Sequence, residues 1–126
     1  MNLKRRIDEK EKCCDFSIHR VSRFIQPGLL LFLSMEPSYG YELIDRLEGL
    51  GFNKKSIDIG AIYRNLRKLE RDGYVVSSWQ KKSERKRRLY RITTEGKVFL
   101  DLWVERIRER KAALDRFIRL YRRRQK

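Results

Sequence analysis

The stretch from Tyr39 to Asp72, YGYELIDRLEGLGFNKKSIDIGAIYRNLRKLERD, decides the fold. It reads as two short helices joined by a turn. In the first, Leu43, Ile44 and Leu47 share one face, at the three- and four-residue spacing of a helix with one buried side. Gly49 and Gly51 stop it, because glycine readily takes the backbone angles found just past a helix end. Asp58 suits the N-cap of the second helix, whose buried stripe is Ile62, Leu66 and Leu69. At about 100° per residue, Gly60, Tyr63, Arg64, Arg67, Lys68 and Arg71 fall on the other side. A cationic face with no bulk at its leading turn, on the second helix of a pair, suits the groove of a duplex. An isolated helix of this kind is more often only a charged surface in water. The next twenty residues choose between the two.

They are Gly73-Tyr74-Val75-Val76-Ser77-Ser78-Trp79-Gln80, then KKSERKRR, then Leu89-Tyr90-Arg91-Ile92. Two segments rich in β-branched and aromatic residues flank a run expected to be a loop too charged to pack, so a hairpin is predicted. From Lys81 to Arg91 there are seven Lys or Arg against one acid, Glu84. Helix, turn, helix and basic hairpin in that order make a winged helix.

Several separated motifs now stand in order. They are P-x-Y-G-Y-E-L at Pro37 to Leu43, I-Y-R-x-L-x-x-L-E-x-x-G-Y at Ile62 to Tyr74, Trp79, and R-x-Y-x-I-T-x-x-G at Arg88 to Gly96. Together they resemble the PadR family of bacterial transcriptional regulators over roughly residues 26–102. The resemblance implies a DNA-binding regulator that dimerises mainly through its C-terminal helix together with the N-terminal one, where Phe24 sits. It departs at Arg64, where family members often carry proline, so no operator preference is carried over. The adjacent Cys13 and Cys14, followed by R-F-I-Q-P at Arg23 to Pro27, are similar to a PadR subgroup described as responsive to polyhydroxybutyrate.

The chain has 126 residues, enough for one domain and a modest core. It is 39% charged and 40% apolar, a balance that folds. Its net charge of +15 points to a polyanionic partner, nucleic acid first and an anionic membrane surface second. No apolar run approaches the ~18 residues of a membrane span. The longest, Leu29 to Leu33, is too short and too far along to be a signal peptide, so a cytoplasmic protein is expected.

Residues 1–17 mix both signs of charge and are expected to be a flexible arm. Zinc needs about four ligands, and Cys13, Cys14, Asp15 and His19 offer poor spacing for them, so no metal and no cofactor is expected. The two cysteines are read as inert thiols, with redox sensing beside basic residues the alternative. Ile18, Val21, Phe24 and Ile25 fit one side of a short helix. Pro27 is expected in the first turn of a new one, Leu29 to Met35, apolar all round and central to the core.

Thr93 is the predicted cap of the last helix, which runs without proline to about Arg124, ~31 residues or ~46 Å. Leu100, Trp103, Ile107, Arg110, Leu114, Phe117 and Tyr121 step alternately by three and four, the seam of a coiled coil. A stripe that outruns its own domain needs a second molecule to cover it, so a homodimer is expected. Arg110 interrupts the seam and is expected either to pair with an acid such as Glu109 or Glu105 or to mark where the seam opens. The acids elsewhere lie among bases, one histidine offers no triad, and Gly49-x-Gly51 closes a helix instead of cradling phosphate. No enzyme is expected.

The fold class is therefore mainly α with a small β-hairpin: a winged helix-turn-helix over 18–92 and a C-terminal dimerisation helix over 93–126. The expected partners are double-stranded DNA at a pseudo-palindromic operator, a second copy of the chain, and an effector that nothing in the sequence specifies. Arg64 and Arg67 are candidates for base edges. Tyr39, Tyr41, Lys54, Lys55, Gly60, Tyr63 and Lys68 are placed against the duplex, mainly at phosphates, which position without specifying. Arg85, Lys86 and Arg87 are placed at the tip of the hairpin. Phe24, Leu100, Trp103, Ile107, Leu114, Phe117 and Tyr121 are the dimerisation candidates. The rival reading is a basic adaptor coating a polymer granule or membrane surface. RNA binding is disfavoured because the aromatics read mostly as core, not as a stacking platform.

Overall fold

Phe16–Met35 form one continuous helix, α1, in the computed structural model, which describes residues 16–51, 57–82 and 85–124. The break expected at Pro27 does not occur. Proline inside a helix forfeits an N–H and crowds the carbonyl four residues back, at a cost of about 3 kcal/mol. Here Pro27 is itself buried, among Ile25, Leu29, Leu30 and Leu33, each at most 2% exposed. Burial of each such side chain is worth about 1.5–3 kcal/mol, so packing outweighs the proline. Leu29–Met35 is not buried all round: Met35 is exposed, and Phe32 packs only partly against the core.

After α1 the chain forms a two-residue strand, β1 (Ser38–Tyr39), and then α2 (Gly40–Glu48). Ser38 is fully buried, and Arg46 donates to its hydroxyl at 2.9 Å while pairing with Glu36, which ties β1 to α2. Leu43 and Leu47 are buried against α1, close enough that a Cβ on Gly28 would sit 2.6 Å from Leu47 Cδ2. Of the two glycines expected to end α2, Gly49 keeps right-handed helical angles and only Gly51 turns to positive φ, at 92°.

Helix α3 (Ile59–Arg71) is capped as read: Asp58 Oδ1 accepts from the Gly60 N–H at 2.9 Å. Its stripe Ile62, Leu66 and Leu69 is buried. Gln26 donates to Asn65 at 3.2 Å and so joins α1 to α3. Gly73, at φ 85°, ends α3 and turns the chain into β2 (Val75–Lys82), which pairs antiparallel with β3 (Arg85–Ile92). The run expected as a loop is thus mostly strand, in register from Val75↔Ile92 to Lys82↔Arg85. β1 adds the third strand, with Ser38 opposite Tyr90 and sheet order β1-β3-β2.

Thr93 caps the last helix, α4 (Thr94–Arg124), by accepting from the Gly96 N–H at 3.0 Å, and it donates to the Gly73 carbonyl at 2.7 Å. A Cβ on Gly96 would meet the Tyr74 carbonyl oxygen at 2.1 Å, so only glycine lets this first turn lie against the end of α3. Tyr74 stacks on Phe99 at 4.1 Å, and Phe99 meets Trp103 edge-on. Leu100 and Trp103 pack partly against the core. Beyond Ile107 every described residue of α4 is exposed. Glu105 holds Arg108 at 3.2 Å instead of Arg110.

Candidate nucleic-acid interface

Three elements converge on one side of the domain: the first turn of α2, the outer face of α3 and the hairpin β2–β3. Their approach has a local cause. Gly40 opens α2, and a Cβ there would lie 2.6 Å from Tyr63 Cε1, so its absence lets the Tyr63 ring of α3 rest on that turn. Glu42 accepts from the Tyr39 N–H at 3.0 Å and fixes the same turn from the other side. The Tyr39 and Tyr41 rings are parallel, 5.8 Å apart.

Between these elements lies a cleft of about 340 Å³ lined by Tyr39, Gly40, Tyr41, Tyr63, Arg67, Trp79, Lys86, Arg87, Arg88 and Tyr90. Four of these are cations and none is an acid. The Arg87 guanidinium lies over the Tyr41 ring at 4.7 Å and that of Arg88 over Trp79 at 4.9 Å. Arg88 also reaches Glu70 of α3 at 3.7 Å, which pins the hairpin to that helix. Burial pushes the Tyr90 phenol above its ordinary range, against the hydrogen bond and charge of Arg88, so it stays a neutral hydroxyl at physiological pH. Along the hairpin, Lys81 stands opposite Lys86, and like charges on facing rungs repel. An anion seated there relieves that repulsion. Aromatic walls with a cationic rim suit a phosphate-bearing strand.

Of the residues singled out from sequence, Tyr39, Tyr41, Tyr63, Arg67, Lys86 and Arg87 come together in the cleft. Gly60 and Arg64 stand at the leading end of α3, where Arg64 is paired with Asp58. Lys68 and Arg85 are exposed but do not line the cleft. Lys54 and Lys55 lie outside the described residues, as do Cys13 and Cys14 and most of the expected arm at 1–17. Sequence reasoning missed Gly40, Trp79, Arg88 and Tyr90 as cleft residues. The alternation of Lys86, Arg88 and Tyr90 along β3 carried that signal, hidden because the cations were read as loop. Among the described residues no helix is long and apolar enough to cross a membrane, and no group of three or more His, Cys, Asp or Glu could hold a metal ion.

The dimerisation candidates divide along the chain. Phe24 is exposed on α1, Leu100, Trp103 and Ile107 are half-buried on their own domain, and Leu114, Phe117 and Tyr121 are 54%, 70% and 48% exposed.

The model of the transcriptional regulator PadR-like family matches residues 29–102, more than half of the chain. The chain belongs to the PadR-like family. Its match spans α1 to α4 and takes in every described element of the interface. A PadR family transcriptional regulator from Eggerthella lenta DSM 2243 superposes with a TM-score of 0.68 at 24% identity, covering 87% of this chain and 96% of that one. A transcriptional regulator from Clostridium thermocellum gives 0.68 at 25% identity, covering 79% and 94%. A conserved protein described as a potential transcriptional factor gives 0.70 at 30% identity, covering 82% and 92%. No curated protein matches. The winged helix with a long C-terminal helix is the PadR architecture, and members of the family are transcriptional regulators, not enzymes. The family match does not separate the polyhydroxybutyrate-responsive subgroup from other PadR proteins, and the cysteines of that narrower resemblance lie outside the described residues.

Proposed function

We propose that this PadR protein is a cytoplasmic, homodimeric, sequence-specific DNA-binding repressor released by an effector. The observation that carries the reading is the acid-free cleft between α3 and the hairpin, beside an α3 whose stripe Ile62, Leu66 and Leu69 is taken up by the core. Apart from Ile59 at its start, what α3 leaves fully exposed is cationic, as suits a recognition helix that enters a major groove. In this reading Arg64 reaches base edges from the leading end of α3, and Arg67, one turn on, works at the boundary between base and backbone. Tyr39, Tyr41, Tyr63, Lys86 and Arg87 grip phosphates, and the tip at Arg85 follows the flanking strand. The exposed stripe Leu114, Phe117 and Tyr121 supports a dimer held by paired α4 helices, with Phe24 of α1 alongside, an assembly typical of the family.

Selection of genomic fragments by the purified protein tests this. The expected outcome is one pseudo-palindromic sequence with half-sites about 10 base pairs apart, bound by two protein chains. Recovery of unrelated fragments at one chain per site contradicts it.

A further inference from the structure

Asp58 uses both carboxylate oxygens. Oδ1 accepts from the Gly60 N–H at 2.9 Å and caps α3, while Oδ2 accepts from Arg64 Nη2 at 3.2 Å. The cap needs only the first oxygen. The second reaches a guanidinium that has come back along the helix to its leading end, the direction in which helical side chains lean. Gly60 lies beneath this bridge: a Cβ there would sit 3.0 Å from Arg64 Nη1 and 3.2 Å from Asp58 Oδ1. Both partners of the pair are more than half exposed, and an ion pair in that setting contributes little to stability. The helix dipole gives the charged cap a modest gain of its own, and the pair with Arg64 adds little to it. Stability therefore does not explain why the second oxygen is turned to Arg64.

We propose that Asp58 is a specificity-determining residue, which holds Arg64 for base edges and keeps it from the DNA backbone. This rests on the DNA-reading function proposed above. Two physical effects act together. A guanidinium fixed on one side spends less conformational freedom when its remaining N–H donors meet the two acceptors of a guanine. A carboxylate beside it also repels phosphates, so Arg64 gains less from the sequence-blind backbone than an unpaired arginine does. Seating α3 in a groove displaces water from the pair, which strengthens the contact where reading takes place.

The test uses four full-length proteins: wild type, Asp58→Asn, Arg64→Ala and the double variant. Each is melted, then titrated against operator and scrambled duplex at one salt concentration. Asparagine caps a helix as well as aspartate, so the melting temperature of Asp58→Asn should hold within about 2 °C. Its operator-to-scrambled affinity ratio should fall about tenfold, while scrambled duplex binds more tightly. In the Arg64→Ala background the same change should leave the ratio as it was. An unchanged ratio in Asp58→Asn overturns the proposal. So does an equal fall with and without Arg64, which makes Asp58 a diffuse charge acting alone. Asp58→Ser, a neutral cap of different shape, takes the place of Asp58→Asn if that variant folds poorly. Wild-type protein with no operator preference overturns the DNA-reading function itself, and this inference with it.

Discussion

Helix α3 and the outer half of α4 are both amphipathic, and they resolve their apolar faces in opposite ways. In α3 the stripe Ile62, Leu66 and Leu69 is buried by the chain itself, so the cationic face is what remains for a partner. In α4 the stripe from Leu114 to Tyr121 stays largely exposed, with the Arg124 guanidinium over the Tyr121 ring at 5.4 Å, so an apolar face is what remains. Under the proposed function the same periodicity marks a reading surface in one helix and an assembly surface in the other. The difference lies in the length of helix against the size of the core. Thirteen residues of α3 fit under one small domain, whereas thirty-one residues of α4, ~46 Å long, do not.

The largest expected effect sharpens this contrast by exchanging core-type damage between the two helices. Leu66→Ala should destabilise the fold by about 2–5 kcal/mol, the penalty typical of a buried leucine. Leu114→Glu with Phe117→Glu should leave the melting of each domain nearly unchanged but convert the protein to a monomer in sedimentation. A monomeric wild type, or a double variant that still sediments as a dimer, breaks the comparison at α4. A smaller effect concerns the hairpin. Replacing Arg85, Lys86 and Arg87 with alanine should weaken binding to every duplex alike. It should also flatten the log–log salt dependence by roughly 0.9 units for each phosphate the hairpin no longer neutralises. An unchanged slope would remove the hairpin from the DNA backbone.

Much of this was legible because it rests on local chemistry. The stripe of α3, the caps Asp58 and Thr93, and the length of α4 beyond its core each follow from side-chain spacing or from one side-chain hydrogen bond. What was not legible depended on distant partners. Pro27 stays inside α1 because four buried neighbours outweigh its local cost, and propensity does not include them. The cations of β3 extend a strand because Trp79, Tyr41 and Glu70 receive Arg88 and Arg87. β1 is two residues long and exists only through its pairing with β3, so no periodicity announces it. The cleft is the product of these misses. Gly40 beneath Tyr63 brings α2 to α3, and the hairpin strand that sequence read as loop supplies the opposite wall.

In the proposed function the cationic face of α3 reads sequence and is more than a charged surface. Titrating the wild-type protein against its selected operator, a scrambled duplex and anionic lipid vesicles, at one near-physiological salt concentration, tests this most directly. Operator should bind about a thousandfold or more tighter than scrambled duplex, with vesicles failing to compete at matched charge. Equal affinity for the two duplexes, with vesicles displacing both, would contradict it and leave a basic protein that coats any polyanion.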